Sequence, residues 1–301
     1  MHLRSWPSLR LQTGPMIRNP VRSFQMIGLT TGLMLALGKG ATAGEATGRE
    51  ALRLGSTQMV KLVVPQPLAS NRLEYDYVHP LHESSSSRIF VDTKVFAQQK
   101  PLIDSGNSAF IDSYGQSVRV GIRNLFNDGN AFRGASIGYD SLQKDGAYFQ
   151  QIGGAIEYTK QSYQLVLTAG IPFSPPNAQL TGSTPLASVN LQLSLPTGYP
   201  GLDVQPRIYY VGSDKSGSAV GGQLQFTYTF SGSWSATLAS NYDALTGVSG
   251  SLTFQVLLPQ RRGRLSPQGI NPDLVYGFSG AVGNNGSRVI RLDNVPASSG
   301  N

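Results

Sequence analysis

The chain has 301 residues, no cysteine, only 14% charged residues and a formal charge of +7. Without cysteine there are no disulfides and no Cys-ligated metals. Residues 1–43 hold Arg4, Arg10, Arg18, Arg22 and Lys39 and no acid, so most of the basic excess belongs to the leader and gives no support to nucleic acid binding.

Arg18 and Arg22 precede an apolar run, Met26–Gly38, which leads to Ala41-Thr42-Ala43. A basic region, a short apolar region and a small-residue site describe a cleaved signal peptide over 1–43, cut before Gly44. The run is shorter than the roughly 20 residues that a spanning helix needs. A single N-terminal membrane anchor is the alternative. No later stretch is apolar for 18 residues, so any membrane crossing downstream must use strands.

Residues 44–87 read as irregular, with one candidate short strand at Gln58–Pro65. His79-Pro80-Leu81-His82-Glu83 reads as a solvated linker, and Ser84–Ser87 as a flexible joint. Two His and one Glu are zinc-type ligands, but Pro80 separates the histidines and no further ligand is apparent.

A two-residue beat begins at Arg88. Ile89, Val91, Thr93 and Val95 alternate with Phe90, Asp92, Lys94 and Phe96. Val118, Val120 and Ile122 alternate with Arg119, Gly121 and Arg123. The beat continues through Gly134–Tyr139, Gln151–Tyr158, Tyr163–Ile171, Ser188–Leu195, Val204–Tyr210, Val220–Phe230, Trp234–Tyr242 and Ser251–Leu258. Turn signals stand between the segments at Asn127–Asn130, Lys144–Gly146, Thr197–Gly201, Ser213–Ser218 and Asp243–Gly247. A tilted strand needs about 9–11 residues to cross a bilayer core, and these segments are about that long.

Alternation alone fits a sandwich or a barrel. The chemistry of the two faces separates them. A soluble sandwich should carry many Lys and Glu on its wet face. Here the polar phase is Gly, Ser, Thr, Gln and Asn, with Asp92, Lys94, Arg119, Arg123, Glu157 and Arg207 as its charges. The other phase is aliphatic, with Tyr139, Tyr158, Tyr163, Tyr210, Phe230, Trp234 and Tyr242 near segment ends. Aliphatic outside, small and polar inside and aromatic at the ends is the pattern of an antiparallel transmembrane β-barrel. The expected fold is an all-β barrel of about 10–12 strands over 88–258, followed by a polar C-terminal tail or final hairpin over 259–301. The alternative is a secreted soluble β-sandwich that binds carbohydrate or a partner protein.

The wording of several segments resembles the inverse autotransporter β-domain, the barrel of the intimin and invasin family. Gly138-Tyr139-Asp140, Gly153–Glu157 and Gly170-Ile171-Pro172 follow one another in RGASIGYDSLQKDGAYFQQIGGAIEYTKQSYQLVLTAGIPFSP, residues 133–175. LPTGYPGLDVQPRIYYVG, residues 195–212, is similar to that family's turn and Tyr-Tyr-Gly strand, and Phe90–Gln98 is similar to its opening strand. The resemblance covers about 88–265. It implies a twelve-stranded barrel; ten strands are evident here, and 58–64 and 274–282 are candidates for two more. It also implies extracellular immunoglobulin-like repeats after the barrel. Only residues 259–301 follow Leu258, whereas one such domain needs about 100.

No catalytic residue is expected, because the histidines are His2, His79 and His82, all before the beat begins. No cofactor site and no metal site is expected either. The six charges of the polar phase read as ion pairs across a lumen and as a field acting on passing solutes. Four bases against two acids imply a preference for small anions. The expected role is a small pore or a surface-adhesion anchor in the bacterial outer membrane. Its expected partners are outer-membrane lipid and the barrel assembly machinery, with no nucleic acid. Replacing Ala41 and Ala43 by bulky residues should block processing and leave a precursor that still carries residues 1–43, as N-terminal sequencing would show.

Overall fold

The computed structural model describes residues 55–66, 71–84, 86–99, 111–127, 129–144, 146–160, 163–173, 183–213, 217–231, 233–245, 247–258 and 292–294. The leader and the candidate strand at 274–282 lie outside them. Twelve strands form one closed antiparallel barrel. In chain order they are β1 (Thr57–Gln66), β2 (Arg72–Glu83), β3 (Ser87–Gln99), β4 (Ile111–Phe126), β5 (Ala131–Lys144), β6 (Ala147–Lys160), β7 (Tyr163–Pro172), β9 (Ala187–Pro196), β10 (Leu202–Ser213), β11 (Gly217–Ser231), β12 (Trp234–Asp243) and β13 (Gly247–Leu258). β8 (Ser183–Pro185) and β14 (Leu292–Asn294) pair with each other in a separate two-stranded sheet.

Each barrel strand pairs with its neighbours along the chain, and β1 closes the ring on β13 from Gln58↔Leu258 to Gln66↔Gly250. This topology is a single sheet closed on itself, so the sandwich alternative falls. The barrel also begins earlier than expected. The segment 44–87, read as irregular, supplies β1 and β2. Gln58–Pro65 is the core of β1. β2 escaped the sequence reading because its inward phase is charged and Pro80 interrupts it. The register shifts between Pro80 and His82, which absorbs the proline in a bulge.

The turn signals all fall at strand connections. At the β4–β5 turn Gly129 has φ 83°, a left-handed conformation open to glycine, and Asn130 N–H donates to the Asn127 carbonyl at 3.0 Å. β1 starts and β13 ends at one rim, here the near rim. Its connections are short: 84–86, 127–130, 161–162, 197–201 and 232–233. The far rim carries the two longest, 100–110 and 173–186, and the second of these includes β8. Short turns on one side and longer loops on the other is the usual asymmetry of outer-membrane barrels, with the longer loops outside the cell.

The outer face is aliphatic. Ile137, Ile156, Ile171, Ile208, Val220 and Leu238 are each at least 60% exposed, far beyond what a soluble surface tolerates as one continuous band. Aromatic groups bound that band. Near the far rim the Tyr139 and Tyr148 hydroxyls lie 2.9 Å apart and Phe173 packs beside Tyr139. Near the other rim Tyr158 packs between Phe126 and Tyr163. Tyr148 and Tyr158 are ten residues apart on β6. At about 3.3 Å per residue and a tilt of about 40°, they stand about 25 Å apart along the barrel axis, the height of the apolar band of a membrane barrel. Arginine at Leu224 or Phe226 should therefore cost about 2–4 kcal/mol, while Thr253→Arg, on the inward phase, should be tolerated. Urea unfolding of the barrel in micelles would measure both, and equal sensitivity at the two kinds of site would refute the assignment of faces.

Candidate functional site

The interior has two unlike sides. On β2–β6 the inward phase carries large charged and aromatic side chains, and nearly all are buried. The six charges expected in the lumen are among them: Asp92, Lys94, Arg119, Arg123, Glu157 and, across the barrel on β10, Arg207. The outward residues between them are exposed or half-exposed, which fixes the phase.

Most of these charges are held by specific partners. Lys94 Nζ lies 2.9 Å from Glu74 Oε2 and 3.7 Å from Asp76, whose other carboxylate oxygen meets Lys61 Nζ at 2.8 Å. Arg72 meets the same Glu74 at 2.7 Å, so one network ties β1, β2 and β3. The Arg123 guanidinium donates to both carboxylate oxygens of Glu157, at 2.5 and 3.2 Å, and sits over the rings of Phe90 and Phe132 at 4.5 and 5.6 Å. Arg119 lies 3.6 Å from Asp140, which also accepts a hydrogen bond from Gln151 Nε2 at 3.1 Å. Pairing and hydrogen bonding offset part of the cost of taking these groups out of water, which an isolated buried charge would bear in full.

This arrangement corrects the count of lumen charges. Glu74, Asp76, Asp140 and Asp243 are buried in the same phase, as are Lys61 and Arg88. Among the described buried side chains, six bases (Lys61, Arg88, Lys94, Arg119, Arg123, Arg207) face six acids (Glu74, Asp76, Asp92, Asp140, Glu157, Asp243). The excess of bases that implied a preference for anions is gone. Glu74 and Asp76 were missed because β2 was, and Asp140 because it was read only as part of a strand-end motif.

Space for such large groups comes from glycine. Phe90 stands opposite Gly121, Phe96 opposite Gly115, Arg119 opposite Gly138, Arg123 opposite Gly134 and Tyr209 opposite Gly221. In each pair the large side chain lies across the glycine. A Cβ on Gly121 would come 2.5 Å from the Phe90 ring, and one on Gly138 would come 2.3 Å from Arg119 Cγ and 2.5 Å from the Val118 carbonyl. Alternating large and small residues is how a small barrel fills its interior.

β11, β12 and β13 present a different wall. Their inward residues are mostly Gln, Asn, Ser and Thr, and many stay partly exposed. Cross-strand hydrogen bonds join them: the Thr227 and Thr237 hydroxyls lie 2.9 Å apart, and Asn241 Nδ2 donates to Ser249 Oγ at 2.6 Å. The one acid among the described inward residues of these strands, Asp243, is fully buried and accepts a hydrogen bond from the Tyr209 hydroxyl at 2.7 Å. An apolar cluster of Leu186, Tyr209, Val211 and Ala219 packs at the far-rim end of β10 and β11. The inward residues of β11–β13 are thus on the whole less buried than those of β2–β6, although Gln225, Ala239 and Asp243 are buried.

The histidines of the expected linker lie on β2. His79 faces outward; its Nδ1 lies 2.8 Å from Ser56 Oγ and 3.3 Å from the Tyr77 hydroxyl. A serine–histidine relay needs a third group that orients the base. Among the described residues no carboxylate hydrogen-bonds His79. Glu83 instead pairs with Arg88 at 3.4 Å, and His82 lies past the bulge on the exposed surface.

No family model matches the chain, and no curated protein matches it. Solved structures do. A structure from the work "Unveiling the Mechanism Behind the in-meso Crystallization of Membrane Proteins" is similar at a TM-score of 0.60 and 12% identity, over 79% of this chain and 99% of the other. An outer membrane channel from Pseudomonas putida F1 is similar at a TM-score of 0.50 and 9% identity, over 72% of this chain and 100% of the other. Outer membrane phospholipase A from Escherichia coli gives a TM-score of 0.45 at 7% identity, over 71% of this chain and 100% of the other. For the first two, at these identities, the likeness is one of fold. The chain has the closed antiparallel fold of outer-membrane barrels.

The glycine seats give a direct test of the packed wall. Gly121→Ala and Gly138→Ala should each destabilise the barrel by about 1–3 kcal/mol through overpacking. Phe90→Leu should recover part of the loss in the Gly121→Ala background and none in the Gly138→Ala background, as a double-mutant cycle in urea would show.

Proposed function

We propose that the chain is a bacterial outer-membrane barrel with a narrow, off-axis aqueous passage. One observation carries this reading: most inward residues of β11–β13 are polar and many are partly exposed, whereas nearly all the large inward side chains of β2–β6 are buried. Water-filled space inside an aliphatic-coated barrel is the working part of a pore. The basic leader, the apolar run and the Ala41–Ala43 site would export the chain. The alternate apolar residues Phe254, Val256 and Leu258 stand in the last barrel strand, where the assembly machinery would read them.

The pairing of β14 with β8 favours a second reading, the anchor. β13 ends at the near rim, whereas β8, and so Leu292–Asn294, belongs to the β7–β9 connection at the far rim. The resemblance to the inverse autotransporter β-domain implies an extracellular segment after the barrel, and this pairing would place one at the surface.

Two measurements separate the readings. The protein should fractionate with outer membranes, migrate faster on unboiled gels, and conduct in planar bilayers. An Asp293→Cys variant should react with a membrane-impermeant maleimide on intact cells if the anchor reading holds. Conductance without labelling leaves the pore alone; labelling without conductance leaves the anchor alone.

A further inference from the structure

The unlike sides of the interior decide what the passage would admit. On the packed side each large charge is sealed against a partner. Lys94 and Arg123 are 3% and 0% exposed and their acids are equally buried, so their fields largely cancel within the wall. On the other side, the inward residues Thr237, Asn241, Ser249, Ser251, Thr253 and Gln255 are only partly buried. They form rows across β12 and β13, with Thr237 opposite Thr253 and Asn241 opposite Ser249.

A solute that enters a narrow passage sheds part of its hydration shell and needs replacement partners. An ion needs opposite charge or a dense ring of dipoles. Among the described residues, β11–β13 carry no inward charge apart from Asp243, which is fully buried under Tyr209; the partly exposed Asp203 stands beside them on β10, opposite Thr227. β11–β13 offer hydroxyls and amides. A hydroxyl has one donor and two acceptor sites and an amide two donors and two acceptor sites, so one cross-strand bond leaves each able to bond further. Groups that both donate and accept match a solute whose own surface does the same.

Resting on the pore reading, we infer that the passage along β11–β13 selects neutral, hydroxylated solutes such as short sugars over charged solutes of equal size. The ion pairs of β2–β6 are a buttress that narrows the barrel to this side. They do not act as a filter.

Full-length protein in liposomes tests this by swelling in lactose and in potassium lactobionate, its acid of nearly the same size. Valinomycin is added so that potassium entry is not limiting. Lactose should enter several-fold faster. In planar bilayers with a salt gradient the reversal potential should lie near zero, and Ser251→Asp with Thr253→Asp should drive it towards cation preference. Equal or faster lactobionate entry overturns the selectivity while leaving a pore. A reversal potential unmoved by the two aspartates overturns the placement of the path. If there is neither swelling nor current, the pore reading falls with it.

Discussion

Backbone pairing without water is the constraint on which everything else depends. In hydrocarbon an unpaired N–H or C=O costs several kcal/mol, so a strand that crosses a bilayer must be paired on both edges. The β1–β13 seam supplies the last of those pairings. Once the ring closes, every strand has one face to lipid and one to the interior, and the two-residue beat follows from that geometry. The exposed aliphatic band and its aromatic borders are the outward consequence. The inward consequence is a space of fixed width that the side chains must fill or leave wet.

The two halves of the ring answer that demand differently. β2–β6 fill it, using opposed charges and rings seated on glycine. The pairing is reciprocal: Glu157 and Arg123 can both cross position 134 because it has no side chain, and Arg123 needs Glu157 because it is buried. Removing either acid or base would leave a charge without water or partner, so the wall is specific as well as dense. β11–β13 carry mostly uncharged polar residues on their inward phase, and many of these are only partly buried.

Outward chemistry was plainly legible in the chain. Leu224, Phe226 and Phe254 on one phase, and Gln223, Gln225 and Thr253 on the other, are assigned correctly from alternation because the strand repeat is two and lipid tolerates few exceptions. β2 was not legible. Arg72, Glu74 and Asp76 look like a solvated segment, since nothing local says that Lys61 and Lys94 will stand beside them. Such charges are acceptable inside only in company, and the company comes from other strands.

The sequence by itself determined the strand repeat, the turn sites, the apolar outer phase and the identity of six inward charges. Each is a local property, fixed by residues one or two positions apart. Only the tertiary structure decided that twelve strands close, that the buried acids and bases balance, that glycines seat the large side chains, and that the inward residues of β11–β13 are less buried than those of β2–β6. Those depend on which residues meet across strands. Register and closure set such meetings, and residues as distant as Arg123 and Glu157 become partners because the ring has no free edge.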